Sequence, residues 1–137
     1  MNDIFDLGQA IKTSSLLVMA DSETYHRMVD NYTRDLPRLE LRQVSDKIEA
    51  LAEIFMYKPE LLIVLLDSNQ ETIDFIHLVR NNPSFKELPI IAIFVEPLKF
   101  KHKWLSRLNL TEKFETPLSR ALTDKIKEVF ELKTQKS

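Results

Sequence analysis

The chain has 137 residues and a formal net charge of −2 at pH 7, so its overall charge attracts neither nucleic acid nor an anionic membrane surface. It has no cysteine, which excludes disulfides, zinc–thiolate sites and thiol catalysis, and its single glycine, Gly8, excludes the glycine-rich loops that bind phosphate. The longest apolar run, residues 61–66, is too short to cross a membrane and no apolar signal segment is visible, so we expect a cytoplasmic protein.

Residues 1–14 form an N-terminal extension whose apolar residues suit one face of a short helix. These residues are Ile4, Leu7 and Ile11. Residues 16–19 are a short apolar run that predicts the first strand. Asp21 or Ser22 can cap the helix that follows, with Asp21 preferred as a cap over a role as a metal ligand. Pro37 ends this helix.

The next two predicted strands differ in their patterns. Residues 39–44 alternate between apolar and polar, which is typical of a half-exposed edge strand. Residues 61–66 are continuously apolar, as in a central parallel strand that is buried on both faces. The helix between these strands is predicted to turn four apolar side chains inward, those of Ile48, Leu51, Ala52 and Phe55.

The second half of the chain continues the alternation. Residues 90–95 predict a buried strand, residues 113–115 predict a weak last strand, and residues 133–137 form a polar tail. Three helical stripes flank these strands: Thr72, Phe75, Ile76 and Val79, then Phe100, Trp104 and Leu108, then Leu118, Leu122, Ile126 and Val129. Strands that alternate with helices five times predict an α/β fold, a doubly wound parallel sheet with helices on both faces.

Short motifs follow one another at a characteristic spacing over residues 15–132. Ala20-Asp21 ends the first strand, Pro59-Glu60 precedes the third, Leu-Pro-Ile-Ile at residues 88–91 enters the fourth, and Thr116-Pro117 follows the fifth. In these motifs the chain resembles the CheY-like receiver domains of bacterial response regulators. The resemblance implies the strand order 2-1-3-4-5 and a Thr116-Pro117 peptide bond that is usually cis in the family.

The resemblance also implies a phosphorylation pocket in which acidic residues hold Mg²⁺, an aspartate accepts a phosphoryl group, and a lysine pairs with it. This chain departs from that pattern at most positions. Ala20 replaces one acid and leaves Asp21, Thr116 replaces the lysine, and Lys113 replaces the reporting aromatic residue. Phe94 replaces the switch hydroxyl, and we interpret its ring as filling the space that phosphate and metal would occupy.

Asp67 is the only carboxylate near the end of the third strand and is the natural candidate for the phosphoryl acceptor. Counted from Pro59, however, it lies two residues too late, and Leu65 occupies the expected place. The sequence therefore leaves open whether Asp67 lies in the pocket.

We interpret the chain as a degenerate receiver, a pseudo-receiver without enzymatic activity or cofactor that works as a phosphorylation-independent module. Its partner would be a signalling or regulatory protein or a second copy of the chain; nucleic acid is a weaker option. The proposed partner-binding residues are Lys99, Lys103, Trp104, Arg107 and Lys113. A solvated cationic face explains this cluster equally well.

Two other interpretations stay open. In the first, an active receiver is phosphorylated on Asp67 with the help of Asp21 and Mg²⁺. In the second, a doubly wound domain outside the family, similar to anti-sigma antagonists, carries Ser68 as a regulatory site.

Overall fold

The structure, a computed structural model, describes residues 13–97 and 105–136. Across these two ranges it has five strands, namely β1 (Ser14–Ala20), β2 (Leu39–Val44), β3 (Leu61–Leu65), β4 (Ile90–Phe94) and β5 (Glu112–Glu115). The α-helices of the same ranges are α1 (Glu23–Thr33), α2 (Lys47–Tyr57), α3 (Asn69–Arg80) and α4 (Arg120–Lys136), and a 3₁₀ turn spans Pro83–Phe85.

The five strands form one parallel sheet in the order β2-β1-β3-β4-β5. This confirms both the predicted fold class and the strand order that the resemblance implied. The register places Ala20 opposite Leu65 and Phe94 opposite Glu115, so the carboxyl ends of four neighbouring strands meet along one edge.

The sheet separates two apolar cores. On one face, α2 and α3 pack with Leu105 and Leu108 against alternate side chains of β1, β3 and β4; on the other, α1 and α4 pack against the remaining ones. Strands β3 and β4 are buried along their whole length, as their continuous apolar runs predicted. Strand β2 is half-exposed, as its alternating pattern predicted.

Helix α2 faces the core with a different stripe from the one predicted. Ala50 and Ile54 are buried, whereas Ile48 and Phe55 are 78% and 52% exposed and Met56 is 85% exposed. The sequence contains two overlapping apolar stripes on this helix, and the one that contains the small Ala50 lies against the sheet. The prediction that Ile48, Ala52 and Phe55 face inward is therefore wrong, whereas Leu51 is partly buried against the core as predicted. Helix α2 thus presents an apolar face to solvent.

The ends of the domain differ slightly from the predicted boundaries. Strand β1 begins at Ser14, one residue before the predicted start of the domain, and α4 continues through the polar residues 133–136 that were expected as a tail. The predicted N-terminal helix and most of the predicted fourth helix lie outside the described residues; Leu105 and Ser106 are helical. None of the helices in the described ranges is long and apolar enough to span a membrane.

Candidate functional site

Polar side chains gather at the edge of the sheet where the parallel strands end. Asp21 follows β1, Asp67 lies just after β3, and Thr116 follows β5. In parallel α/β sheets this edge is where ligands usually bind, because the loops there converge from several strands. It is also the edge that the sequence motifs pointed to.

Asp21 and Asp67 lie side by side at this edge. The backbone N–H of Asp67 donates a hydrogen bond to Oδ2 of Asp21 at 3.1 Å. The other oxygen of Asp21, Oδ1, is buried and has no hydrogen-bond partner among the described residues. The carboxylate of Asp67 is itself exposed. The structure thus brings together two of the residues that the sequence singled out.

The prediction that Asp21 or Ser22 caps α1 is confirmed for Ser22 and is wrong for Asp21. The cap is Ser22, whose extended backbone lets its hydroxyl accept a hydrogen bond from the N–H of Tyr25 at 3.2 Å. Asp21 lies one residue too early for this geometry and is turned instead toward the loop after β3.

Tyr25 completes the cluster, and sequence reasoning missed it. Burial raises the pKa of the Tyr25 phenol above its ordinary value of 10.0, and the charges of Asp67 and Asp21 and a hydrogen bond with the Asp67 side chain raise it further. In the sequence, Tyr25 fits the apolar face of the helix that follows Ser22. Its position one helical turn after Asp21 was the signal that could have placed its hydroxyl at this edge.

The place expected for the phosphoryl acceptor is apolar. Leu65 lies opposite Ala20 in the β1–β3 register, is fully buried, and belongs to the core between the sheet and helices α1 and α4. This register agrees with the count from Pro59. Asp67 lies two residues further on, outside the strand.

The loop that carries Asp67 is short and held at both ends. The buried hydroxyl of Thr72 accepts a hydrogen bond from the N–H of Leu66 at 3.3 Å and donates one to the carbonyl of Ser68 at 3.2 Å. Ser68, the residue considered as a regulatory site, caps α3 through its hydroxyl, which accepts from the N–H groups of Gln70 and Glu71. Its hydroxyl is therefore used in the fold.

Phe94 is the last residue of β4 and is fully buried. Its ring belongs to the apolar core on the α2 and α3 face of the sheet. The position where the resemblance leads one to expect a switch hydroxyl thus holds a large core side chain.

The segment after Phe94 is fixed from two sides. The side chain of Asn69, the first residue of α3, accepts a hydrogen bond from the N–H of Val95 at 3.0 Å and donates one to the carbonyl of Glu96 at 3.0 Å. Thr116 donates its hydroxyl hydrogen to the carbonyl of Val95 at 3.1 Å, and its N–H bonds the carbonyl of Phe94 at 3.0 Å. The Thr116-Pro117 peptide bond is cis, as the resemblance implied.

No protein-family model matches this chain, and no curated protein sequence matches it significantly. Solved structures do match. The signal receiver domain of the DNA-binding response regulator merR from Colwellia psychrerythraea 34H has a TM-score of 0.75 at 17% identity, over 86% of this chain and 98% of that one. The chemotaxis response regulator CheY4 of Vibrio cholerae has a TM-score of 0.70 at 21% identity, over 86% and 99%. The response regulator from Desulfuromonas acetoxidans has 0.68 at 17%, over 87% and 98%.

The chain has the receiver fold. The similar structures are of receiver domains and response regulators, and each is matched over nearly its whole length. At these identities the likeness shows the fold, and the chemistry of the site has to be argued from the side chains at its edge.

The site could hold a divalent cation only through Asp21 and Asp67. No group of three or more His, Cys, Asp or Glu side chains is placed to hold a metal ion in residues 13–97 and 105–136. Mg²⁺ commonly binds through one or two carboxylates together with water and phosphate oxygens, so the free oxygen of Asp21 and the exposed Asp67 fit such a minimal set.

Only part of the predicted partner-binding cluster falls in the described residues. Arg107 is exposed, and Lys113 is half-buried in β5. Lys113 lines a shallow depression of about 330 Å³ that also includes Leu105 and Asn109. Lys99, Lys103 and Trp104 lie outside the described residues. The partner-binding role of the five residues together therefore stays a prediction.

Proposed function

We propose that this chain is a receiver-like signalling domain that acts as a phosphorylation-independent protein-interaction or dimerisation module. The observation that carries the proposal is the buried ring of Phe94 at the place of the switch hydroxyl. In a phosphorylated receiver that hydroxyl has to meet an incoming phosphoryl group, and a fully buried phenyl ring offers it no hydrogen bond.

The electrostatics of the edge support the same proposal. Phosphoryl transfer depends on positive charge placed where negative charge accumulates. Thr116 provides no ammonium group, and its hydroxyl hydrogen is already donated to the carbonyl of Val95. With Leu65 buried at the expected acceptor position, the chain lacks three parts of the usual machinery.

The fixed segment after β4 suggests how such a module would work. Asn69 and Thr116 anchor Val95 and Glu96 through three hydrogen bonds from the protein's own side chains. A domain whose signalling face is held in a single state offers its partner a constant surface. In this proposal it is not an enzyme, needs no cofactor and works in the cytoplasm.

Intact-mass measurement after incubation with Mg²⁺ and acetyl phosphate tests the proposal, with Asp67→Asn as the matched control. We expect no phosphate adduct on the wild-type chain, with circular dichroism showing that it is folded. An adduct that disappears in Asp67→Asn would overturn phosphorylation independence.

The interaction surface is proposed to consist of Lys99, Lys103, Trp104, Arg107 and Lys113. Aromatic and arginine side chains are frequent anchors in protein interfaces, and the cationic residues suit an acidic partner surface. For self-association, sedimentation equilibrium should show a weaker dimer for the Lys103→Ala/Trp104→Ala variant than for wild type. The control is Arg27→Ala, which removes a cation from the exposed face of α1. A wild-type monomer would exclude the dimer, and an unchanged dimer would exclude this surface.

An active receiver is the second candidate, and the pairing of Asp21 with Asp67 favours it. Asp67 is exposed beside a carboxylate that has one oxygen without a partner, so the two could hold Mg²⁺ near the acceptor. The cation, when bound, would neutralise charge on the phosphoryl donor. Asp21→Asn should then abolish any adduct along with Asp67→Asn, whereas adventitious labelling of other carboxylates would survive both substitutions.

A further inference from the structure

An apolar groove of about 550 Å³ lies at the opposite edge of the sheet from Asp21 and Asp67. It is lined by residues from the end of α2, the start of β3, the 3₁₀ turn and the approach to β4. The apolar members of its lining include Ile54, Phe55, Pro59, Phe85 and Leu88. The Phe55 ring meets the Phe85 ring edge to face, with centroids 4.8 Å apart.

The groove continues onto the exposed face of α2. Ile48, seven residues before Phe55, lies on the same face of the helix and is 78% exposed. Soluble domains seldom leave a continuous apolar surface uncovered, because each square ångström of apolar area kept in water costs about 25 cal/mol. The apolar residues of the groove and of this face of α2 therefore form a surface that suits a covering segment.

The chain enters the fold beside this groove. At the start of β1, the N–H of Ser15 donates to the Glu60 carboxylate at 3.2 Å, and the N–H of Glu60 donates to the carbonyl of Ser15 at 3.0 Å. Glu60 directly follows Lys58 and Pro59, which line the groove. The residues that precede Thr13 are thus joined to the domain next to the rim.

The sequence of residues 1–12 matches the groove in chemistry and in length. Ile4, Leu7 and Ile11 would share one face of a helix, with Asp6 and Gln9 on other faces. Twelve residues reach about 18 Å as a helix and about 40 Å when extended, enough to cross the groove from its rim. Being tethered at Ser14, the segment would have an effective concentration on the order of millimolar at the groove.

We propose that residues 1–12 bind in this groove and pack Ile4, Leu7 and Ile11 against Phe55, Phe85 and Leu88. The segment is an intramolecular ligand of its own domain. It covers the apolar face of α2 and keeps the groove from other chains.

Disulfide trapping in the full chain tests this directly, because the natural sequence contains no cysteine. Two pairs are compared, Leu7→Cys with Ser84→Cys, an exposed residue that lines the groove, and Leu7→Cys with Phe130→Cys on the opposite face, where Ser14 and Phe130 line a smaller cavity. We expect the groove pair to form an intramolecular disulfide at least ten times faster. Equal rates, or faster trapping at Phe130→Cys, would overturn the proposal. A crosslink whose rate rises with protein concentration would also overturn it, by showing that a second copy fills the groove.

A matched pair of substitutions gives a second readout without cysteines. Leu7→Asp should shift the amide resonances of Phe55 and Phe85 and lower the urea midpoint of unfolding, because it places a carboxylate in the apolar contact. Gln9→Asp adds the same charge on another face of the predicted helix and should leave both unchanged. Identical spectra for the two variants would contradict the proposal.

Discussion

The side chain of Asn69 accepts a hydrogen bond from the backbone N–H of Val95, 3.0 Å away, and the same amide group donates to the carbonyl of Glu96. One side chain at the start of α3 thus satisfies two backbone polar groups of the segment that leaves β4. This contact joins the loop after the third strand to the loop after the fourth.

Asn69→Ala should loosen this segment. The substitution leaves the N–H of half-buried Val95 and the carbonyl of Glu96 without their partner, so we expect a loss of about 1–3 kcal/mol in the free energy of unfolding. Urea denaturation measures the loss, and amide hydrogen exchange at Val95 should become faster. Asn31→Ala is the control, since exposed Asn31 bonds only the exposed Arg34 side chain in the described contacts. If the two substitutions lowered the free energy of unfolding equally, the Asn69 hydrogen bonds would not stabilise this segment specifically.

Arg80 connects three segments on the other side of α3. Its guanidinium donates to the carbonyls of Leu108 at 2.9 Å, Asn109 at 2.8 Å and Phe85 at 2.6 Å. Partial burial lowers the pKa of this group, with the charge of Glu87 acting in the opposite direction. These contacts tie the 3₁₀ turn and the approach to β5 to the end of α3.

Arg80→Lys should therefore destabilise the domain although it keeps the charge. A single ammonium cannot reproduce the planar fork that reaches four carbonyls, the fourth being that of Lys86 at 3.3 Å, and we expect a loss of about 2 kcal/mol in the free energy of unfolding. Arg27→Lys is the matched control. Arg27 pairs with Glu23 on the surface of α1, where both side chains are more than 70% exposed, and it should change stability little. If Arg80→Lys left the free energy of unfolding unchanged, the hydrogen bonds of the guanidinium would not contribute to stability.

The sequence predicted the sheet well because its central strands consist of unbroken apolar runs. In a domain of this size, the continuous apolar runs of residues 61–66 and 90–95 indicate strands that are buried on both faces. Strand order came only through the resemblance, since periodicity carries no information on which strands are neighbours.

The site could be predicted only in part. Asp21 and Asp67 were found because carboxylates at strand ends are visible in a sequence, but Tyr25 and Asn69 were not. Tyr25 fits an apolar stripe, and its hydroxyl gives no separate signal; Asn69 looks like an ordinary residue at the start of a helix. The orientation of helix α2 was predicted wrongly for a related reason. Its apolar residues form two overlapping stripes, and the sequence does not show which stripe faces the core.

The pH dependence of Tyr25 offers a test of the cluster at the sheet edge. Its pKa is raised by burial, then by Asp67 and Asp21, so the neutral phenol is the form favoured in the folded state. The resulting stability is present in full below the ordinary pKa of 10.0 and is lost as pH rises toward the folded value. Between about pH 9 and about pH 11 the free energy of unfolding should fall less steeply in Tyr25→Phe than in wild type.

Asp67→Asn should lower the pKa of Tyr25 directly. The substitution removes the larger of the two carboxylate contributions, and Asp21→Asn should have a smaller effect in the same direction. Carbon NMR of labelled tyrosine can follow Tyr25 separately from Tyr32 and Tyr57. Burial likewise raises the pKa of Tyr57, which lies near Glu40 and Arg42, so its titration is the internal control and should not respond to Asp67→Asn. If neither substitution changed the pKa of Tyr25, the interaction of Tyr25 with Asp67 and Asp21 would be ruled out.

Phe94→Thr restores the hydroxyl that the resemblance leads one to expect, and it should cost stability. Removing a fully buried ring leaves a cavity, and the new hydroxyl enters an apolar core, so we expect a loss of about 3–5 kcal/mol in the free energy of unfolding. Leu78→Thr is the control on α3, where the side chain is 48% exposed, and it should lose about 1 kcal/mol or less because little apolar surface leaves the core. Urea unfolding followed by circular dichroism compares the two. If Phe94→Thr were as stable as wild type, the ring would not be needed to fill the core. The interpretation that Phe94 serves as a core side chain at the position of the switch hydroxyl would then fail.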